Sequence, residues 1–343
     1  MIGVREYRTL TLLHAERRGV GGNIMSSGLK RGLIALVLLV AIAGGGAYYW
    51  LFLESGAPTQ TYALDIREVR RLADSLPGDK PVTIHDEHVA PFSFAANVVL
   101  AGDGWSQVPL VIFAYKLDFP TWTAIVDTGV TPRGAALMKV TLDEAAALHI
   151  RAALKYARLI VVTHEHNDHI GGLLGSPWAK YELPRAKLTV EQVAHLDDYN
   201  PGYHKEFFAD YKPIAYDKYL AVAPGVVLIK APGHTPGSQM VYVKLASGQE
   251  FLFTGDVAWT MRNIDTGRER ARAATWLFLK EDRDAVLAEL ATLHALKIAN
   301  PNLHIVPGHD PDVIAALEKA GLIVKGFHNA EVTDVDYTFK DKP

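Results

Sequence analysis

Between Thr163 and Gly172 the chain reads THEHNDHIGG, which sets the imidazoles of His164, His166 and His169 and the carboxylate of Asp168 within six residues. The run Leu159-Ile160-Val161-Val162 before it is apolar and fits a buried strand, and Gly171-Gly172 after it permits a sharp turn. Side chains at a strand end face a cleft. Imidazole nitrogens and a carboxylate in this spacing are ligands for a divalent cation. A lone His-x-His reads equally well as two surface imidazoles, but four ligand-type residues fed by an apolar strand do not.

Further along, the same arrangement recurs. Val226–Lys230 reads as a strand that delivers Ala-Pro-Gly-His234-Thr-Pro-Gly-Ser. Glu250–Thr254 delivers Gly255-Asp256, and His304–Pro307 delivers Gly308-His309-Asp310. Four separate strand ends therefore carry ligand-type residues, and an earlier apolar strand, Trp122–Val126, ends on Asp127-Thr128-Gly129.

The series His-x-His-x-Asp-His, Gly-His, Gly-Asp, Gly-His resembles the metallo-β-lactamase superfamily over roughly residues 83–324. Around His234, Asp256 and His309 it is most similar to the N-acyl-homoserine lactonase branch. The resemblance implies one metal held by His164, His166 and His234 and a second held by Asp168, His169 and His309, with Asp256 bridging them. It further implies that Asp127 supports the site from behind, and that a hydroxide between two divalent cations, zinc foremost, opens a carboxylic ester or lactone. Asp168, Asp256 and Trp259 are then the expected catalytic residues. Trp259 stands where those lactonases place a tyrosine, and its indole N–H is expected to donate to the substrate carbonyl.

An aspartate at the bridging step argues against a dedicated β-lactamase. Phosphodiesterase, phosphotriesterase and thioesterase activities of the same superfamily stay open, as does a non-catalytic metal-binding protein on this scaffold. Arg262, Arg268, Arg270 and Arg272 would suit an anionic substrate, although a run interrupted by Glu269 reads more simply as a solvated helix face. The remaining nine histidines lack ligand spacing, and His85 with His88 reads as a surface turn.

The elements that must position these groups fit an α/β fold. Thr141-Leu-Asp-Glu144 has the pattern of a capping box opening a helix that runs to about Tyr156, directly before the strand that feeds His164. Strand, helix, strand with ligands at strand ends predicts a sheet covered by helices, and the resemblance makes this an αββα sandwich. The aromatic crowd from Tyr199 to Tyr219 reads mostly as core packing, with a minority lining an apolar substrate channel.

Cysteine is absent, which excludes thiolate ligands, disulfides and a cysteine nucleophile together. Imidazole and carboxylate suit zinc or a harder divalent ion. The apolar run 33–53 has no charged side chain and is long enough to cross a bilayer. Two readings fit it: an uncleaved anchor ending in Tyr48-Tyr49-Trp50 at the interface, or a signal peptide cleaved near Ala43. The basic flank 1–32 keeps the amino end cytoplasmic, with Met25 an alternative start. Residues 54–80 are then a tether and a short amphipathic helix carrying Ile66, Val69 and Leu72, and 81–343 a metallo-hydrolase domain. The catalytic part would be exported, into the periplasm of a Gram-negative cell. The flank holds six of the 35 basic residues against two acids, so the remainder has 29 basic and 36 acidic residues, a formal charge of −7, and nothing there suggests a nucleic-acid partner.

Overall fold

The computed structural model describes residues 26–327. Most of the basic flank, the alternative start at Met25 and the last residues of the 81–343 domain lie outside that span. The chain divides into two compact units, the first ending at Ala47. The first contains most of the helix Ser27–Tyr48, with no buried residue. Together with the turn after it to Leu53, it is long and apolar enough to cross a membrane, a property shared with signal sequences.

Among the described residues, ten strands make the second unit: β1 Thr83–Ala95, β2 Gln107–Asp118, β3 Thr123–Val126, β4 Leu159–Val161, β5 Tyr219–Ala223, β6 Val226–Lys230, β7 Gln239–Lys244, β8 Glu250–Phe253, β9 Leu303–Val306 and β10 Val324–Lys325. They form two five-stranded sheets, ordered β10-β1-β2-β3-β4 and β5-β6-β7-β8-β9. Alternation along the strands sorts their side chains into three cores, because successive residues of a strand point to opposite faces. Phe113, Tyr115, Val126 and Val161 from the first sheet meet Leu228, Val241, Phe253 and Val306 from the second, between the sheets. Ile112, Ala114, Ile125 and Ile160 face outward under helices Glu144–Tyr156 and Asn167–Leu174. Ile229, Tyr242, Leu252 and Ile305 face outward on the other side under helix Arg283–Ala299. The result is helix, sheet, sheet, helix.

The short helix forms at Ile66–Ala73, and its Val69 and Ala73 are buried in that last core, so it lies against the catalytic body. The capping box expected at Thr141 does not form. Helix Glu144–Tyr156 is capped instead by Asp143, whose carboxylate accepts from the N–H groups of Ala145 and Ala146. An aspartate reaches the first free amides without needing the reciprocal glutamate. His85 and His88 are not in a surface turn. They lie in β1, whose long pairing with β2 extends the sheet through that stretch.

Topology decides where the chemistry sits. β3 and β4 run parallel, as do β8 and β9, and β6 and β8 share a direction because each is antiparallel to β7. Asp127, His164, His234, Asp256 and His309 each lie just past the carboxyl end of one of these five strands.

Candidate metal centre

The four side chains His164, His166, His234 and Asp256 each offer one ligand atom, all within 4.8 Å of one another, and Asp168, His169 and His309 form a second such group. In the first, His166 Nδ1 lies 3.0 Å from His164 Nε2 and 2.9 Å from His234 Nε2. In the second, Asp168 Oδ2 is 3.6 Å from both His169 Nε2 and His309 Nε2. Asp256 stands between the two groups. Its Oδ2 is 3.5 Å from His234 Nε2, while its Oδ1 is 3.1 Å from His309 Nε2 and 3.3 Å from His169 Nε2. All seven residues singled out from the sequence are thus brought together.

The orientation of four of the five imidazoles is fixed from behind, the arrangement typical of metal-binding histidines. His169 Nδ1 lies 2.8 Å from Asp127 Oδ2, His309 Nδ1 2.9 Å from the Val111 carbonyl, and His164 Nδ1 3.2 Å from Thr163 Oγ1. Asp127 also accepts from the Thr163 amide at 2.7 Å and from its hydroxyl at 2.8 Å. To do so it holds a left-handed backbone, φ 57°, which aspartate tolerates better than most residues. Gly308 has to be glycine for a different reason: a Cβ there would sit 2.4 Å from Asp256 Oδ1.

Three partners carry no motif. His234 Nδ1 lies 2.5 Å from Glu281 Oε1, and Glu281 is paired in turn with Arg270; both side chains are buried. The expectation of a solvated arginine face holds for the exposed Arg262 and is corrected at Arg270. Arg270 is 1% exposed, donates to the Asp256 carbonyl at 2.8 Å and lies 5.0 Å over the Trp259 ring. Glu165, also buried, accepts from Thr235 Oγ1 at 2.8 Å and the Gly237 amide at 3.1 Å, stapling the first histidine loop to the His234 loop.

Burial drives the His164 and His166 imidazoles well below their ordinary pKa, leaving neutral rings with lone pairs to offer. Burial pushes His169 down too, but Asp168, Asp256 and Asp127 outweigh it and hold the ring well above the usual range. Asp256 is raised by burial and lowered further by His309, His169 and His164, so it ends well below the usual carboxylate range. His169 Nε2 and Asp256 Oδ1 are buried without any hydrogen-bond partner. Orphaned buried polar atoms are rare, and two of them facing each other across a ligand cluster fit a cation.

Trp259 departs from expectation. Its indole N–H donates to Asp256 Oδ2 at 2.7 Å, and the ring is 4% exposed and stacked on Phe94. The N–H is committed to the central carboxylate rather than presented to a substrate, because the turn Gly255–Val257 brings residue 259 back over residue 256. Trp259→Phe should therefore weaken metal binding about 10- to 100-fold in a chelator competition, leaving KM for substrate nearly constant. A variant with unchanged metal affinity would show the bond to be idle.

Aromatic side chains flank the centre. Phe92 meets His309 edge-on at 5.2 Å, Phe94 stacks on Trp259 and on the exposed Phe278, and Tyr199 meets His166 edge-on at 4.4 Å. Of the aromatic crowd, Tyr203, Phe207, Phe208 and Tyr211 pack on the outer core of the first sheet. Phe92, Phe94 and Phe278 come from segments the sequence did not single out.

Comparison with known proteins points the same way. The N-acyl homoserine lactonase AiiA of Bacillus thuringiensis subsp. kurstaki is 26% identical over 177 residues, covering 46% of this chain and 67% of that protein. AttM of Rhizobium radiobacter, also an N-acyl homoserine lactonase, is 30% identical over 181 residues, 49% of this chain and 63% of that one. A solved quorum-quenching N-acyl homoserine lactone lactonase shares the fold with a TM-score of 0.54 at 20% identity, over 71% of this chain and 97% of that one. The family profile described as the metallo-beta-lactamase superfamily matches residues 120–309. That match spans more than half of the chain and takes in every strand end at which these side chains converge: the chain belongs to the metallo-beta-lactamase superfamily.

Proposed function

We propose that this protein is a metal-dependent hydrolase that opens an apolar carboxylic ester or lactone while tethered to a membrane. The observation that carries the reading is Asp256, one carboxylate oxygen of which faces each ligand group. His164, His166 and His234 would hold one divalent cation and Asp168, His169 and His309 the other, with Asp256 shared. Five imidazoles and two carboxylates suit zinc. When bound, such a pair lowers the pKa of water and polarises a carbonyl.

The chain's own residues do the rest. His166 and Asp168 are the least buried of the seven, so substrate approaches from their side. Asp168 is the carboxylate there that can take up a proton from attacking water. Phe92, Phe94, Phe278 and Tyr199 offer apolar walls to an acyl chain and exclude water from the centre. The relatives' action on N-acyl homoserine lactones supports a lactone as the substrate class. Of the four arginines that would suit an anionic substrate, Arg262, Arg270 and Arg272 are paired with Asp103, Glu281 and Glu54, which leaves Arg268 to carry the phosphate-directed alternative.

The tether rests on the apolar helix and on an aromatic cluster at its carboxyl end. Trp50 meets Trp276 edge-on at 5.5 Å, Trp105 Nε1 donates to the Tyr48 hydroxyl at 3.0 Å, and Leu277 and Phe278 are exposed beside Trp276. Aromatic residues in such a cluster favour the membrane interface.

A panel of N-acyl lactones of increasing chain length, aryl esters, a thioester and a phosphodiester tests the chemistry on metal-loaded protein. Lactones and esters should turn over, faster as the acyl chain lengthens, and the phosphodiester should lag. Bound metal without turnover of any lactone or ester would overturn the reading. Carbonate-washed membranes should retain the protein, and protease added outside spheroplasts should digest it; protection would reverse the proposed orientation.

A further inference from the structure

The inner face of β1 carries two residues that packing does not explain. Ile84, Asp86 and His88 alternate along it, opposite Leu117, Tyr115 and Phe113 of β2. Ile84, Leu117, Tyr115 and Phe113 all belong to the core between the sheets. Asp86 stands in that apolar row fully buried, at 0% exposure, and neither of its carboxylate oxygens accepts a hydrogen bond. A buried carboxylate with no donor is costly unless a positive charge meets it.

The side chains that do meet it are metal-ligand types. His88 Nε2 lies 2.9 Å from Asp86 Oδ2 and 3.5 Å from Glu318 Oε1, yet it makes no hydrogen bond with either. Glu318 comes from helix Pro311–Lys319, and its Oε1 is likewise buried without a hydrogen-bond partner. One atom from each of Asp86, His88 and Glu318 falls within 4.8 Å of the others. Asp86 is fully buried, whereas His88 is 33% and Glu318 21% exposed, although the atoms they turn toward Asp86 are buried. Lys325 stands opposite Asp86 in the pairing of β1 with β10, and its charge reaches Glu318 without closing an ion pair among the described residues. The two carboxylates repel one another unless a cation or a shared proton sits between them.

We propose that Asp86, His88 and Glu318 bind a further divalent cation, of the zinc class, separate from the pair at the strand ends. One nitrogen and two oxygens leave a position for a water ligand and match a borderline ion better than calcium, which prefers oxygen alone. Its role is structural. The ion ties β1 to the helix that begins two residues after His309, so it braces the segment that aims that imidazole.

The test is metal stoichiometry of the full-length protein in detergent, loaded with zinc and then desalted. Wild type should carry one more equivalent than His88→Gln or Glu318→Gln. Both variants change partly exposed side chains and should stay folded, which circular dichroism checks. Added zinc should raise the melting temperature of Asp256→Asn, whose strand-end site is weakened, and should raise it less once Glu318→Gln is added. Equal zinc content in wild type and both variants, with no difference in the zinc-induced shift, overturns the proposal and leaves a proton shared by the two carboxylates as the compensation. Loss of the strand-end metals with this equivalent retained would overturn the proposed function alone.

Discussion

Asp256→Asn is expected to lower turnover by about a thousandfold and to release metal, while leaving the fold intact. Both oxygens of Asp256 are engaged, Oδ1 toward His309 and His169 and Oδ2 toward His234, and the side chain is buried. An amide keeps one of those oxygens and turns hydrogens toward the other ligand group, so it can serve one cation at most. It also removes the negative charge that offsets two dications in a site with little water. The core strands do not depend on the ion, since Leu252 and Phe253 before it are packed between layers. Zinc content, kcat and circular dichroism together check this. Two tightly held metals and a near wild-type rate would remove Asp256 from the centre of the site.

Glu281→Ala is expected to be the most destabilising single change near the site, because Arg270 would be left as a buried charge without its partner. Breaking a buried pair in this way costs about 3–5 kcal/mol, against a total stability of about 5–15 kcal/mol for a domain. His234 also loses the acceptor at Nδ1, which should weaken metal binding about 10- to 100-fold. Denaturation in the presence of a chelator isolates the first effect, and zinc competition on folded protein the second. Glu281→Gln keeps an acceptor for His234 and should fall between. The pair has an acid limit as well. Burial raises the Glu281 carboxyl, but Arg270 and His234 outweigh it and lower it below the ordinary glutamate value. The stability it contributes is therefore in force above that value and lost as pH falls through the lowered one. A Glu281→Ala protein with wild-type stability would show Arg270 to be compensated elsewhere.

The candidate ligand residues could be read in the sequence because each group follows a short apolar strand, and three of the seven, His234, Asp256 and His309, come directly after a glycine. Strand periodicity and turn chemistry are local properties, and the ends of parallel strands in a layered sheet gather on one edge. That logic located His164, His166, Asp168, His169, His234, Asp256 and His309 without any knowledge of distance. Local pattern also gave the helix Glu144–Tyr156, although its cap is Asp143 and not Thr141, since competing polar residues near a helix start differ only in which free amides they reach.

What local pattern could not show is which side chain turns toward which across the site. Glu281 is 47 residues from His234 and meets it only because the chain returns through the turn before helix Arg283–Ala299. Arg270 sits in a run that looks like a solvated surface, and its burial comes from Glu281 and Asp256 facing it. Trp259 was legible as a donor near the bridging aspartate, but not that its N–H points back at that aspartate. His85 and His88 lack ligand spacing, yet β1 places His88 beside Asp86 and a helix brings Glu318 to both. The sequence by itself determined the ligand types and the strand ends that present them, because periodicity and turns are written in neighbouring residues. The tertiary structure alone decided the partners behind the ligands, because a buried charge is satisfied by whatever distant segment the packing brings against it.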